Sequence, residues 1–122
     1  MTICLIGKNL TTLVLSKILV NKGISVDLCY YNNKLSNNLI STNSRTIGLS
    51  NDSIEFLESQ KILYKKNCWN IKKINLYKGE SFESFLNFKS DKNTFYMTSY
   101  SKFYKKLETK IKNNKLVKII KR

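Results

Sequence analysis

The chain has 122 residues, 42% of them apolar, enough for one domain with a modest core and too few for two ordinary ones. Its 22 basic residues against 8 acidic ones leave a formal charge of +14, with no histidine. No apolar run is long enough to cross a bilayer, and no charged stretch precedes an apolar one at the N-terminus. The expectation is therefore a cytoplasmic protein whose membrane contact is at most peripheral, at the inner membrane.

One reading of the charge is attraction to phosphate, in nucleic acid, a membrane surface or a nucleotide. The plainer reading is compositional. Every basic residue except Arg45 and Arg122 is a lysine, scattered along a chain rich in asparagine and isoleucine, as A/T-rich codons would produce. No RNA- or DNA-binding motif accompanies them, so nucleic acid is not the expected partner. Cys4, Cys29 and Cys68 are widely spaced, and the first two fall inside expected buried strands. That suits reduced core thiols better than disulfides, and without histidine or Cys-x-x-Cys a zinc site is not expected.

In chain order, Thr2-Ile3-Cys4-Leu5-Ile6-Gly7 reads as a short buried strand ending on glycine. A helix follows from Leu10 to Lys22, with Leu10, Leu13, Val14, Ile18 and Leu19 at helical spacing and Gly23 as its C′ residue. Gly23 to Tyr30 reads as a second strand. Strand, tight turn, helix and strand is the opening βαβ unit of a dinucleotide-binding fold, which holds a pyrophosphate at the first turn. Residues 31 to 44 are polar and asparagine-rich and read as a long loop. A second helix begins near Ser50 to Asp52, with Asp52 and Glu55 as a capping pair and Ile54, Leu57 and Phe56 toward the core. Trp69 to Tyr77 marks one strand centred on Ile74, Gly79 a turn, and Phe82 to Phe88 its hairpin partner. Phe95-Tyr96-Met97 is extended, and Tyr100, Phe103, Tyr104, Leu107 and Ile111 form a helical stripe, so these aromatics read as core rather than a base-stacking platform. Asn113-Asn114 ends that helix before a last strand, Leu116 to Ile120.

The candidate site is the turn Gly7-Lys8-Asn9-Leu10-Thr11-Thr12. Glycines in such a turn let the backbone approach the pyrophosphate. Of G-x-G-x-x-G only Gly7 remains; Asn9 and Thr12 hold the other two positions, where asparagine tolerates a left-handed conformation and threonine is fairly small. Lys8 and the hydroxyls of Thr11 and Thr12 are candidates to replace lost backbone contacts. Tyr30 stands where an acidic residue would meet the ribose hydroxyls. The alternative is a βαβ unit that binds nothing, because a fold alone does not establish a function. Arg45, the one internal arginine, follows the loop and could hold a phosphate bidentately. On the residues alone, a surface arginine pairing with Asp52 or Glu55 is the better reading. Cys29 lacks a histidine to activate it and reads as a buried strand thiol.

Together these pieces resemble the N-terminal part of the flavin-dependent aromatic hydroxylases, particularly those of ubiquinone biosynthesis. Three segments carry the likeness: Ile3 to Tyr30, like the family's FAD-binding βαβ unit; Asn43-Ser44-Arg45-Thr46-Ile47-Gly48-Leu49-Ser50, like its Asp-x-Arg-x-x-Ala-Leu-Ser stretch; and the strand near Ile74 with its hairpin partner and the helix from Ser101. Gly7, Arg45, Leu49 and Ser50 match; Asn9, Thr12, Tyr30, Asn43 and Gly48 depart. The resemblance implies a truncated α/β, Rossmann-like FAD-binding sheet over residues 1 to 122, with a β-hairpin excursion at roughly 68 to 90. It implies FAD held by the Gly7 turn with Arg45 beside it, Lys102 near a family arginine, and NAD(P)H as a candidate reductant. The family's later Gly-Asp motif lies beyond Arg122, so a second chain completing the domain is a candidate partner. The reading from another class is a non-catalytic α/β remnant or interaction module that binds no flavin.

Overall fold

The computed structural model describes residues 1–31, 45–79, 83–89 and 95–121. The expected loop at 31–44 therefore lies outside the described residues except for Tyr31. The chain divides into two compact units, one formed by Met1–Arg45 with Ser99–Arg122 and the other by Thr46–Thr98. The fold class is α/β, as the sequence indicates.

In the first unit, β1 (Thr2–Ile6), β2 (Ser25–Tyr30) and β8 (Val117–Lys121) form a parallel sheet in the order β1-β2-β8. The register sets Ile3 beside Val26, Leu5 beside Leu28, and Leu28 beside Ile119. Helices α1 (Leu10–Asn21) and α3 (Tyr100–Lys112) pack on each other, α1 also against β2 and α3 against β8. Their buried side chains are Leu13, Ser16 and Val20 from α1 and Phe103, Tyr104, Leu107 and Ile111 from α3; Val26, Leu28 and Tyr30 are buried on β2. Period-two alternation puts successive strand side chains on opposite faces, so the residues between them form the other face. On that face Ile6 is 82% exposed and Cys4 is exposed as well.

The stripe on α3 follows the sequence, but that on α1 is rotated. Leu10, Val14, Ile18 and Leu19 are half-buried, whereas Ser16 is fully buried, its hydroxyl donating to Thr12 O at 2.7 Å. Apolar and polar residues are both spread round α1, so the pattern carries little phase information, and a small residue that satisfies its own hydroxyl can take the closest approach. Gly23 is left-handed (φ +75), as a C′ residue should be.

The second unit begins with β3 (Thr46–Ser50), a strand the sequence reading did not include, followed at once by α2 (Asn51–Ser59). The cap is Ser50, whose Oγ accepts from Ser53 N at 3.2 Å, and not Asp52, which sits in the first turn; Glu55 instead binds Lys65 and Asn51. Lys61 adopts the left-handed conformation (φ 56) just past the helix, which swings Ile62 and Leu63 inward to become buried. Phe56 is 51% exposed, and only Ile54 and Leu57 of α2 are buried. The single strand expected at Trp69 to Tyr77 is two. β4 (Trp69–Ile71) pairs antiparallel with β7 (Phe95–Ser99), which also neighbours β3, while β5 (Lys73–Tyr77) pairs with β6 (Ser84–Lys89) as the expected hairpin.

Replacing Ile54 by alanine leaves a cavity where nothing fills it, and urea unfolding should show a loss of about 2–5 kcal/mol. Phe56→Ala, on the same helix but in solvent, should stay within about 0.5 kcal/mol of the parent. Equal losses would contradict the observed phase of α2.

Candidate functional site: the turn between the first strand and the first helix

β1 ends where Gly7 takes φ +105, a conformation essentially reserved for glycine, while its N–H continues the sheet by donating to Cys29 O at 2.8 Å. Asn9 is extended, not left-handed (φ −123, ψ 174), because it serves as the N-cap of α1. Its Oδ1 accepts from Thr12 N at 2.9 Å, and Thr12 Oγ1 accepts from Asn9 N at 3.1 Å, a reciprocal capping box. The Thr12 hydroxyl also lies 3.1 Å from Gly7 O and 3.0 Å from Asn9 O, to which it can donate.

A helix start leaves four N–H groups without intrahelical partners. The box occupies Thr12 N, and Leu13 N already bonds Asn9 O at 3.1 Å. Leu10 and Thr11, the first two residues of α1, are thus the amides at the positive end of the helix dipole left to meet an anion. Thr11 is exposed, its hydroxyl beside them in sequence.

Lys8 is oriented away from a simple phosphate-facing role. Its ammonium lies 2.6 Å from Glu108 Oε1 and 5.0 Å from the centre of the Tyr30 ring. Lys112 Nζ approaches the same Glu108 oxygen at 2.8 Å. Burial acts to raise the Glu108 carboxyl, but hydrogen bonds from Lys112 and Lys8 outweigh it and hold the group below the usual carboxylate range. Tyr30 is only 8% exposed, its ring covered by the Lys8 ammonium.

Arg45 joins this turn through aromatic rings. Its guanidinium lies 5.8 Å from the Tyr100 ring, and its carbonyl accepts from Tyr100 N at 2.9 Å. Tyr100 stacks on Tyr104 at 6.0 Å between centroids, and the Tyr104 hydroxyl donates to Lys8 O at 3.3 Å. Burial pushes the Tyr104 phenol up, with the Glu108 carboxylate adding to it, so it stays a protonated donor. Lys102 is exposed in the first turn of α3, its N–H 3.4 Å from the capping Ser99 Oγ. The structure thus connects Gly7, Lys8, Asn9, Thr12, Tyr30 and Arg45, while Lys102 makes no side-chain contact with them among the described interactions.

Glu108 and Tyr104 are the residues that sequence reasoning passed over at this turn. A signal existed for Glu108: it is the sole acidic residue in Tyr100–Lys112, adjacent to the buried Leu107. An isolated carboxylate beside an apolar stripe in a lysine-rich helix implies a partner.

No family model matches the chain, and no curated protein matches it in sequence. Solved structures do match in fold. One is 2,6-dihydroxypyridine-3-hydroxylase from Arthrobacter nicotinovorans, similar at a TM-score of 0.66 and 15% identity over 97% of this chain. This chain spans 28% of that protein's length. At this identity the likeness is one of fold: the α/β architecture is shared with a hydroxylase. Among the described residues no helix is long and apolar enough to cross a membrane.

The Glu108 pair carries a pH signature. A carboxyl held low in the folded state contributes stability that is fully present above its unfolded value of about 4.3 and is lost as pH falls through the folded value. Glu108→Gln should cost about 1–3 kcal/mol at neutral pH. The variant's unfolding curve should converge on the parent's as the solution is acidified below that range. A constant gap down to strongly acidic pH would show that the carboxylate's charge is not what matters.

Proposed function

We propose that this chain is the part of an FAD-dependent aromatic hydroxylase that receives the pyrophosphate and adenosine end of the cofactor. The observation that carries the reading is the Gly7 turn, which delivers the amides of Leu10 and Thr11 at the start of α1. The fold shared with 2,6-dihydroxypyridine-3-hydroxylase supports it, as does the arginine of the Arg45 segment, tied to the same turn through Tyr100 and Tyr104.

The donor set fits an anionic group and fits a ribose poorly. Leu10 N, Thr11 N and the Thr11 hydroxyl would hold phosphate oxygens, with Arg45 adding positive charge nearby. Tyr30 is buried under Lys8 and offers no carboxylate to sugar hydroxyls. When bound, FAD reduced by NAD(P)H supplies the oxygen-activating chemistry, and the protein supplies position and electrostatics. The role of this chain's residues is to fix the phosphates. Glu108 keeps the Lys8 ammonium engaged, so the Lys8 side chain contributes to the scaffold first and to the anion only if that pair opens. The finer reading, hydroxylation of a polyprenylated ring in ubiquinone biosynthesis, rests on the sequence resemblance, as does a second polypeptide that completes the cofactor site.

The reading from the other class, an interaction module without flavin, is favoured by the same cap that weakens the turn: Asn9 and Thr12 satisfy each other where glycines would leave the backbone open. One titration separates the two. FAD added to the purified chain should bind with quenching of flavin fluorescence. Asn9→Gly, which removes the side-chain cap and frees Thr12 N at a cost to the helix of roughly a few tenths of a kcal/mol, should tighten binding about tenfold. Arg45→Ala should weaken it about tenfold or more. A colourless protein that takes up no FAD, with Asn9→Gly no better, would establish the interaction module instead.

A further inference from the structure

The lysines of this chain are not spread evenly over its helices. Five of the 13 residues of α3 are lysine, whereas α1 has Lys17 alone among 12. Helix α2 has none among 9 and carries Asp52, Glu55 and Glu58 instead. Codon composition enriches a residue type everywhere and does not sort it by element. Lys102, Lys105, Lys106 and Lys110 are all exposed, while Phe103, Tyr104, Leu107 and Ile111 turn the other side of the helix into the core. Lys102, Lys106 and Lys110 follow one another at i, i+4 and i+8, about 6 Å apart along the axis. Among the described residues none of the four joins an ion pair, and the one carboxylate of α3, Glu108, is taken by Lys8 and Lys112.

Ammonium groups repeated at this spacing repel one another and weaken a helix, so the stripe does nothing for the fold. An extended surface of negative charge reverses the sign of that effect. The chemistry of the stripe selects among such surfaces. Completed by the exposed Thr109, it holds no aromatic ring on which a base could stack and no arginine to grip a phosphate bidentately. It offers a row of flexible point charges, which suits the smeared charge of a lipid headgroup layer. The substrate proposed above, a polyprenylated ring, resides in lipid, and the choice of a bilayer over a nucleic acid rests in part on that reading.

We propose that the exposed face of α3 is a docking surface for anionic membrane, with Lys102, Lys105, Lys106 and Lys110 lying on lipid phosphates. The contact is electrostatic and reversible. The helix keeps its apolar side in the core and inserts nothing into the bilayer.

The test is cosedimentation of the full chain, without flavin, with vesicles of phosphatidylcholine containing about one-third phosphatidylglycerol, beside vesicles of phosphatidylcholine alone. The chain should pellet with the first and not with the second, and should be released as salt rises from about 0.05 to 0.5 M. Lys105→Gln, Lys106→Gln and Lys110→Gln together should weaken binding about a hundredfold, at about fivefold per charge. Lys102 stays in place, since it is also a cofactor-site candidate. The matched variant, Lys73→Gln, Lys78→Gln and Lys89→Gln on exposed positions of the other unit, removes the same charge and should cost less than about fivefold. Glutamine has nearly the helix propensity of lysine, and the salt and lipid dependence of the parent chain requires no variant to fold. Flavin plays no part in the readout, so vesicle binding and FAD uptake can fail independently. Three results overturn the proposal: equal pelleting with phosphatidylcholine alone, equal losses in the two triple variants, or a duplex RNA that strips the chain from the anionic vesicles through the same three lysines.

Discussion

The first unit is organised around one backbone constraint: β1 must stop and α1 must start within three residues. Gly7 makes the stop by turning left-handed while its N–H still serves the sheet. Asn9 and Thr12 make the start by capping each other across the first turn of the helix. The corner joins α1 to the sheet through the Gly7 N–H on Cys29 O, and in the parallel register beside it Leu13, Val26 and Leu28 lie buried. A side chain at position 7 would be strained whatever space surrounded it. The same corner is also the functional candidate, since a sharp entry into a helix leaves amides pointing outward.

Electrostatics then decides how open that corner is. In a chain with 22 basic and 8 acidic residues, a single carboxylate can organise several cations. Glu108 does so, drawing Lys8 from the turn and Lys112 from its own helix onto one oxygen. The ladder from Arg45 through Tyr100 and Tyr104 to the Lys8 carbonyl fastens α3 to the turn from the other side. Both devices make the turn stiff. What remains for a ligand is the pair of amides at Leu10 and Thr11, fewer than a glycine-rich turn would give.

Much of this was legible in the residues. The βαβ opening, Gly23 as a helix stop, the β5–β6 hairpin and the stripe of α3 rest on strong local signals: period, turn glycines and caps. What was not legible depended on which surfaces are covered. Strand alternation says that Cys4 and Leu5 face opposite ways but not which of those faces meets helices, so the exposure of Cys4 is not visible in the sequence. Phe56 looked like core because aromatic residues usually are, yet Ile54 and Leu57 already fill the buried side of α2. β3 leaves no clear trace in the sequence because Thr46–Ser50 is five residues with a glycine at its centre, too short to show a period. The motif places Asn9 at a glycine position, where a left-handed conformation is expected; its side chain instead caps the helix from an extended backbone. Such contests between local hydrogen bonding and motif geometry are not decided by spacing.

The claim that the corner is built to receive a phosphate can be put to the amides themselves. In a ¹⁵N-labelled chain titrated with ADP, the Leu10 and Thr11 amide resonances should shift together and saturate, with Arg45 side-chain signals following. Those two amides remaining still while shifts scatter over exposed lysines would contradict the account.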